Sequence, residues 1–504
     1  MLATTLMNKS SLVGHHRFIS LWIGMVGFLI ITFNANQSMA EPIAWEHVID
    51  PHVRTAQYDA MLGQPFAAIT QLRADLKQGR VKQRSGQVQL VLGGMYLSYG
   101  SHYKAAEIFK TLATSNQPQE VRNMAWYNLA RVQYRRGKSQ EALNSLQRIN
   151  GNLTDEAQQE RLLLSSKLLM ENNRFEEAVV KLKKLGEKSL VQKLSEKSAW
   201  ATYGRFNLGV ALFQQGREEE GRRLLEELGM MTAKDEESYS LRDKANLTLA
   251  FDYLSKQKPE KAKQYFLKTR LQGPMSSKAL LGLGRVYSAQ EQHKKSLVSW
   301  LKLIKRDASD PSVQDALLAV PSAFGKLTAY KQALEYYKEA LAAYKKELEQ
   351  VNKAKDTVNS GVLVDSLART ISTQNINDQW LVSRLPATPG GRYLWRLFAT
   401  HEFQETLKNY SRVRLALGRL EQWSSEIDQD RGIKPGKKQS ITKRIYSLQS
   451  RLVNLVSQLR IHLKESSLKE LENRKQRLVS YAADARFSMA QLYDYAAKRW
   501  GDTK

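Results

Sequence analysis

Leu249, Ala250 and Tyr253 open a pattern that continues with Ala262, Phe266 and Pro274, and this pattern returns along the chain at the same spacing. Leu92, Gly93 and Tyr96 with Ala105, Phe109 and Pro118 repeat it, as do Trp126, Leu129 and Ala130 with Ala142 and Leu146. Leu208, Gly209 and Leu212 with Gly221 and Leu225 form another copy, and Leu283, Gly284 and Tyr287 with Ser296, Trp300 and Pro311 another. Weaker copies centre on Ala178 with Leu182 and on Ala333 with Tyr337, and a degenerate first one on Ala68 with Leu72. Ala and Leu at helical spacing are common in any helix; their recurrence in register over residues 55–345 is what sets the fold. The spacing places a small residue on each of two antiparallel helices where they cross, so that the backbones can approach. The aromatic and Leu positions then fill the gap to the next pair. Turn residues fall between the two helices of a pair, at Gly100-Ser101, Arg136-Gly137-Lys138, Asn172-Asn173, Gln215-Gly216 and Lys258-Pro259. One pair cannot bury its own apolar face, so pairs must stack. Pro321 falls inside a first-helix position and predicts a kink or an early break there.

These residues resemble the tetratricopeptide repeat (TPR) family, and the resemblance covers about three fifths of the chain. It implies an all-α fold, a right-handed superhelical solenoid of about seven to eight repeats over residues 41–351. In this family the first helix of each pair lines the concave face, where ligands usually lie. Counting from each repeat's small residue puts Tyr127, Arg131, Tyr134 and Arg135 on that face, then Tyr203, Phe206 and Phe213, then Lys244 and Phe251, then Lys278 and Arg285. Aromatics interleaved with Arg and Lys suit an acidic or extended peptide, or a sugar chain with carboxylates. The competing reading is that about half of them only pack between repeats. Second-helix Lys104, Lys138, Lys261 and Lys331 are expected on the convex side or in loops. The family's terminal-carboxylate clamp needs Lys and Asn at positions held here by Leu90 and Gly94, so that activity is not implied.

After Val351 the repeat stops. Residues 352–391 are rich in Ser, Thr, Asn and Asp and read as a linker ending in Leu385-Pro386-Ala387-Thr388-Pro389-Gly390-Gly391. A C-terminal module, residues 392–504, follows. Tyr410, Val413, Leu417 and Leu420 stripe a first helix over 392–427, and Arg431 to Gly436 breaks it. A second helix carries Ile441, Ile445, Leu448, Leu452, Leu455 and Leu459, then slips near His462–Ser467 and resumes at Leu471, Leu478, Ala482, Ala485, Met489, Leu492 and Ala496. This is heptad spacing with a stutter. A helical hairpin within the chain is the simpler reading, and a coiled coil between chains, giving self-association, is the alternative.

The N-terminus resembles a secretory signal. Lys9, His15, His16 and Arg17 precede the apolar run Ile19–Phe33, and Ser38-Met39-Ala40 offers a cleavage site, with Glu41 as the mature start. The alternative is an uncleaved inner-membrane anchor. The chain has no cysteine, which excludes disulfides, thiolate metal sites and a catalytic thiol. An exported, cysteine-free helical protein suits a bacterial periplasm. The net charge is +27, and losing Lys9 and Arg17 with the signal leaves +25. On an intracellular chain this charge would suggest nucleic acid; on an exported one it points instead to acidic proteins, acidic polysaccharide or an anionic membrane surface.

No constellation of catalytic residues emerges. The eight histidines are His15, His16, His47, His52, His102, His293, His401 and His462, and they are scattered. His401-Glu402-Phe403-Gln404-Glu405 has Glu where a zinc-protease helix has its second His. Gly282-Leu283-Gly284 lies within a repeat and serves packing, and no serine sits in a nucleophile elbow. The expected function is a non-enzymatic periplasmic scaffold of an envelope assembly, without cofactor or metal. The alternative is a component of polysaccharide export or cell-wall work that binds an acidic glycan.

Overall fold

The computed structural model describes residues 50–501 except 63, 82–85, 152, 186–198, 373–389, 430–431 and 433. The expected signal segment, residues 1–40, lies outside the described residues. Every regular element described is a helix. In chain order they are α1 (Pro51–Met61), α2 (Pro65–Lys77), α3 (Gly86–Tyr99), α4 (His102–Thr114), α5 (Gln119–Arg135), α6 (Ser139–Gln147), α7 (Asp155–Glu171), α8 (Phe175–Leu185), α9 (Ala199–Gln214) and α10 (Glu218–Met230). There follow α11 (Glu236–Ser255), α12 (Pro259–Lys268), α13 (Ser276–Ala289), α14 (His293–Leu303), α15 (Pro311–Lys326), α16 (Tyr330–Asn359), α17 (Val362–Ser372), α18 (Gly391–Phe398), α19 (His401–Gln429) and α20 (Pro435–Gly501).

The repeat shows most directly in the turns. After α3, α5, α7, α9, α11, α13 and α15 the chain makes one and the same turn, with its middle residue at positive φ: Gly100, Gly137, Asn173, Gly216, Gln257, Glu291 and Thr328. In each, the amide after that residue bonds back to a carbonyl five residues earlier, for example Ser101 to Tyr96 and Ala329 to Phe324. This is the Schellman ending, which satisfies the last carbonyls of one helix while reversing the chain into the next. The small residues at the crossings are buried as the spacing predicts: Ala105, Ala250 and Ala262 are wholly inaccessible, as are Ala68, Ala178 and Ala333 of the weaker copies. A Cβ on Gly93 would stand 2.6 Å from the Phe109 ring, and one on Gly221 2.7 Å from the Gly209 carbonyl oxygen. Side chains of any size are therefore barred there.

The chain forms two compact units. One spans residues 143–292. In it α8 packs on α7 and α9, α10 on α9 and α11, and α12 on α11 and α13, while α7, α9, α11 and α13 also touch in succession. The first helices thus form one layer and the second helices another. The other unit joins residues 50–142 to residues 293–501. Its helices α1–α5 pack pairwise in the same manner, and α20 lies along α15, α16 and α19.

Three expectations change. The helix α15 runs through Pro321 to Lys326 without the early break. A helix interior accepts proline when only one amide bond is lost and burial of the surrounding face compensates; Pro321, Val320 and Leu317 are all buried. The span expected as a linker is helical to Asn359 and again over Val362–Ser372, because Val351, Ala354, Val358, Leu363, Val364 and Leu367 continue an apolar stripe into the core around α20. Residues 373–389 of that span lie outside the described residues. Finally, the first C-terminal helix is two, α18 and α19, parted at Ala399–Thr400.

Helices α19 and α20 form a hairpin within the chain. Lys438 Nζ bonds the Asp428 carbonyl near the turn at 2.7 Å, and His462 Nε2 stands 3.4 Å from Glu402 at the far end, so the helices run antiparallel. Asp365 of α17 holds both helices, accepting from the Tyr410 hydroxyl at 3.0 Å and from Arg460 at 3.0 Å. Farther along α20, Lys355 meets Glu472 at 2.7 Å, Arg474 donates to the Ser309 carbonyl at 3.2 Å, and Tyr481 bonds Asp315. The long helix is thereby fixed to α15 and α16.

Candidate binding surfaces

In the unit of residues 143–292, the structure separates the expected surface residues into packing and polar groups. Phe206 is wholly buried. Phe251 is buried edge-on against Phe266, with ring centroids 5.0 Å apart. Phe213 is buried too, beside the close Gly209–Gly221 crossing, with Arg222 and Lys256 each 6.0 Å from its ring centre. These three phenylalanines are mortar between helices and not a ligand surface. The reason is local: in α9 and α11 small and large apolar residues occupy all sides, so facing cannot be read from periodicity.

Two of the expected residues share a neighbour, Glu237. The hydroxyl of Tyr203 on α9 bonds the Glu237 carboxylate on α11. Lys244 lies two turns further along α11, and burial lowers its pKa while Glu237 opposes the shift. Burial also pushes the Tyr203 hydroxyl well above its ordinary range, reinforced by its bond to Glu237. Tyr203, Glu237 and Lys244 thus form a polar group on adjacent first helices: a phenol, a carboxylate and a desolvated ammonium. Such a trio can bind a peptide backbone or a carboxylate, because donors and an acceptor are fixed in place by packing. Glu237 was not singled out from the sequence; its position in the first turn of α11 reads as helix-dipole compensation and nothing more. Lys278 and Arg285, seven residues apart on α13, are both half-buried.

Around α10, α11 and α12 lies a denser polar network that the sequence did not reveal. Arg222 bridges to buried Asp252 at 3.0 Å and to Glu219, and Glu226 accepts from the Tyr265 hydroxyl at 2.7 Å. Arg270 joins Asp243 at 2.7 Å and Glu236 at 3.0 Å. Arg222 and the Glu226–Tyr265 bond link consecutive repeats, while Arg270 ties the end of α12 back to α11 within one pair, so the network serves packing.

In the other unit, Tyr127 is buried with the Arg131 guanidinium 5.5 Å from its ring centre, and Tyr134 and Arg135 are half-buried. Here the chain's own α19 packs against α5. His102 is buried near the same place; burial lowers its pKa to about 4, Glu405 opposes, and Arg412, Arg135 and Arg136 add to the lowering. The α5 end of the expected groove is therefore faced by Glu405 and Arg412 of α19, which sequence counting could not foresee. Among the convex controls, Lys104 and Lys138 pair with Glu107 and Glu141 of their own helices at 2.8 and 2.5 Å. Among the described residues no cluster of three His, Asp or Glu could hold a metal ion.

A layered stack of helix pairs joined by one repeated turn defines a helical-repeat protein. The tetratricopeptide repeat model matches residues 123–148 and 202–227, which span α5 with α6 and α9 with α10. The chain carries tetratricopeptide repeats, and repeats of this type form protein-interaction scaffolds. None of the curated proteins matches it. Among solved structures it is similar to the C-terminal part of a TPR repeat-containing protein from Cytophaga hutchinsonii, at 15% identity and a TM-score of 0.39, covering 50% of this chain and 95% of that one. It is also similar to PilF of Pseudomonas aeruginosa, at 19% identity and a TM-score of 0.31, covering 46% and 95%. A third is the apo form of the quorum sensor NprR from B. thuringiensis, at 10% identity and a TM-score of 0.32, covering 58% and 97%.

Proposed function

We propose that this protein is a periplasmic scaffold that recruits protein partners of a bacterial envelope assembly through the first-helix layer of its repeats. The observation that carries the reading is the Tyr203–Glu237 bond with Lys244 two turns along the same helix as Glu237, polar side chains on adjacent first helices. The apolar run Ile19–Phe33 and the Ser38-Met39-Ala40 site support export, and the absence of cysteine fits the periplasm. Partners with acidic segments suit Lys244, Lys278 and Arg285.

The test uses the full-length gene expressed in its host. Lys278→Glu with Arg285→Glu should leave the helical content and melting intact, since exposed or half-exposed substitutions usually change stability by about 0.5 kcal/mol. The pair should deplete specific proteins from affinity-purified complexes, while Lys104→Glu with Lys138→Glu should not. Equal depletion by both pairs would show that only net charge matters. Recovery of acidic polysaccharide in place of protein, released steeply by salt, would establish the glycan reading instead.

A further inference from the structure

The hairpin α19–α20 leaves part of its apolar stripe exposed, at Leu448, Leu455 and Trp423. Beyond its contact with α17, the seam of α20 consists of Ile445, Leu452 and Leu459 alternating with Thr442, Gln449 and Val456, all buried or half-buried. The strongest apolar stripe of the sequence is a different one: Ile441, Ile445, Leu448, Leu452, Leu455 and Leu459. At about 100° per residue, its centre is turned away from α19 toward one flank. Leu448 and Leu455 are left 46% and 39% exposed. In heptad terms Ile445 and Leu452 are d residues, Leu448 and Leu455 are g residues, and Thr442 and Gln449 weaken the a positions that face the partner.

On α19 the seam is Val413, Leu417, Leu420, Ser424 and Ile427, each buried or half-buried, which makes Trp423 a g residue. In an antiparallel pair the g positions of both helices border the same groove. Trp423, 46% exposed, therefore shares one trough with Ile441, Leu448 and Leu455. The residues bordering that trough are the c positions. On α20 these are Lys437, Arg444 and Arg451, all exposed and without an acidic partner among the described residues. On α19 they are Arg412, Arg419 and Glu426, the two arginines lying against the α3–α4 turn. Residues 435–464 carry seven Lys or Arg and no Asp or Glu.

We infer that this trough takes a third helix, supplied by a partner protein, with an apolar stripe and acidic flanks. Helix geometry sets the shape, since the apolar g line of α20 faces Trp423 and Ala416 of α19 across a channel that fits a rod and completes a three-helix bundle. Charge sets the chemistry, since the α20 rim is cationic and residues 435–464 hold no acid. A second copy of this chain would place the cationic α20 rims against each other, which is unfavourable. An anionic bilayer fits the charge but not the shape: Arg419 donates to the Tyr99 hydroxyl at 3.4 Å and the Arg412 guanidinium lies against Gly100, so the α3–α4 turn stands beside the trough. This site is on the hairpin and is independent of the first-helix surface proposed above.

The probe is a labelled synthetic peptide of about four heptads, with Leu and Ile at a and d and Glu at e and g, which its own charge keeps monomeric. Binding to the full chain is read by anisotropy at about 0.15 M salt, where the Debye length is about 8 Å. The acidic peptide should bind at least tenfold more tightly than its lysine-flanked counterpart, a difference of about 1.4 kcal/mol. Leu448→Ser with Leu455→Ser should cost at least tenfold. Tyr446→Ser with Val453→Ser, on the opposite flank and also exposed, should cost under about threefold. Binding should shift indole emission to the blue in the wild type and not in Trp423→Phe. Equal affinity for the two peptides, indifference to the Leu448 and Leu455 pair, or no binding of the acidic peptide would overturn the inference. Binding of phosphatidylglycerol vesicles through Leu448 and Leu455 without peptide binding would overturn it in favour of a membrane.

Discussion

Gly221 on α10 crosses Gly209 on α9, and adding one methyl group there tests the close approach on which the repeat depends. A Cβ on Gly221 would stand 2.7 Å from the Gly209 carbonyl oxygen and 3.1 Å from the Phe213 ring. The first neighbour is backbone and cannot swing aside, so the helices must separate. Overpacking of this kind costs about 1–3 kcal/mol, while Ala in place of Gly in a helix returns about 1 kcal/mol. Gly221→Ala should therefore destabilise its unit by up to about 2 kcal/mol. With a urea m value of about 2 kcal/mol per molar, the midpoint falls by up to about 1 M. The control is Gly418→Ala in the middle of α19, where nothing lies within 4 Å of the new methyl group. There only the propensity gain of about 1 kcal/mol remains, and the variant should be more stable. Both are read by circular dichroism in urea, together with intrinsic fluorescence to separate the transitions of the two units. If Gly221→Ala gains as much stability as Gly418→Ala, α9 and α10 do not cross at this point and the repeat register is wrong.

His102 should give the fold an acid-side pH dependence. Its folded pKa of about 4 lies below the unfolded value of about 6.5, so the unfolded chain binds the extra proton first. Stability is then full above about pH 6.5 and falls as the pH drops toward 4, by up to about 3 kcal/mol; His102→Gln should flatten this part of the profile in thermal melts at a series of pH values. Thr328 holds φ at +60° in the turn between α15 and α16, where a β-branched residue is strained. Thr328→Gly should stabilise by about 0.5–1 kcal/mol, and Gly137→Ala, at φ +71° with open space around it, should destabilise by a similar amount. Chemical denaturation of the two variants checks the pair of opposite signs.

How much of this was legible in the sequence follows from the kind of constraint involved. The repeat was readable because Ala250, Ala262 and Phe266 are fixed by contacts inside one helix pair, and the same contacts recur in each copy. The non-glycine turns at Gln257, Glu291 and Thr328 were less legible, since nothing in those residue types signals positive φ; only their place in the repeat does. Facing was hardest. Phe206 and Phe251 sit in helices apolar on several sides, and periodicity cannot tell a wall between repeats from a groove. Tyr203 bonds Glu237, 34 positions away in sequence and on another helix, which a count within single helices misses. Of the apolar stripe of α20, Ile445, Leu452 and Leu459 line the hairpin seam and Leu448 and Leu455 do not. Leu448 and Leu455 continue the stripe, yet the turn geometry and the Asp365 ion pairs orient α20 so that Gln449 and Val456 face α19 instead.

The first-helix layer as partner surface is tested most directly by photo-crosslinking in the living host. A benzophenone amino acid replaces Lys278 or Arg285 on the first helix α13, and Lys261 or Lys331 on the second helices α12 and α16. Irradiation should yield discrete protein adducts from positions 278 and 285, sensitive to protease, and none from 261 and 331. Adducts only from positions 261 and 331, or the same adducts from all four, would contradict the assignment of the binding surface to the first helices.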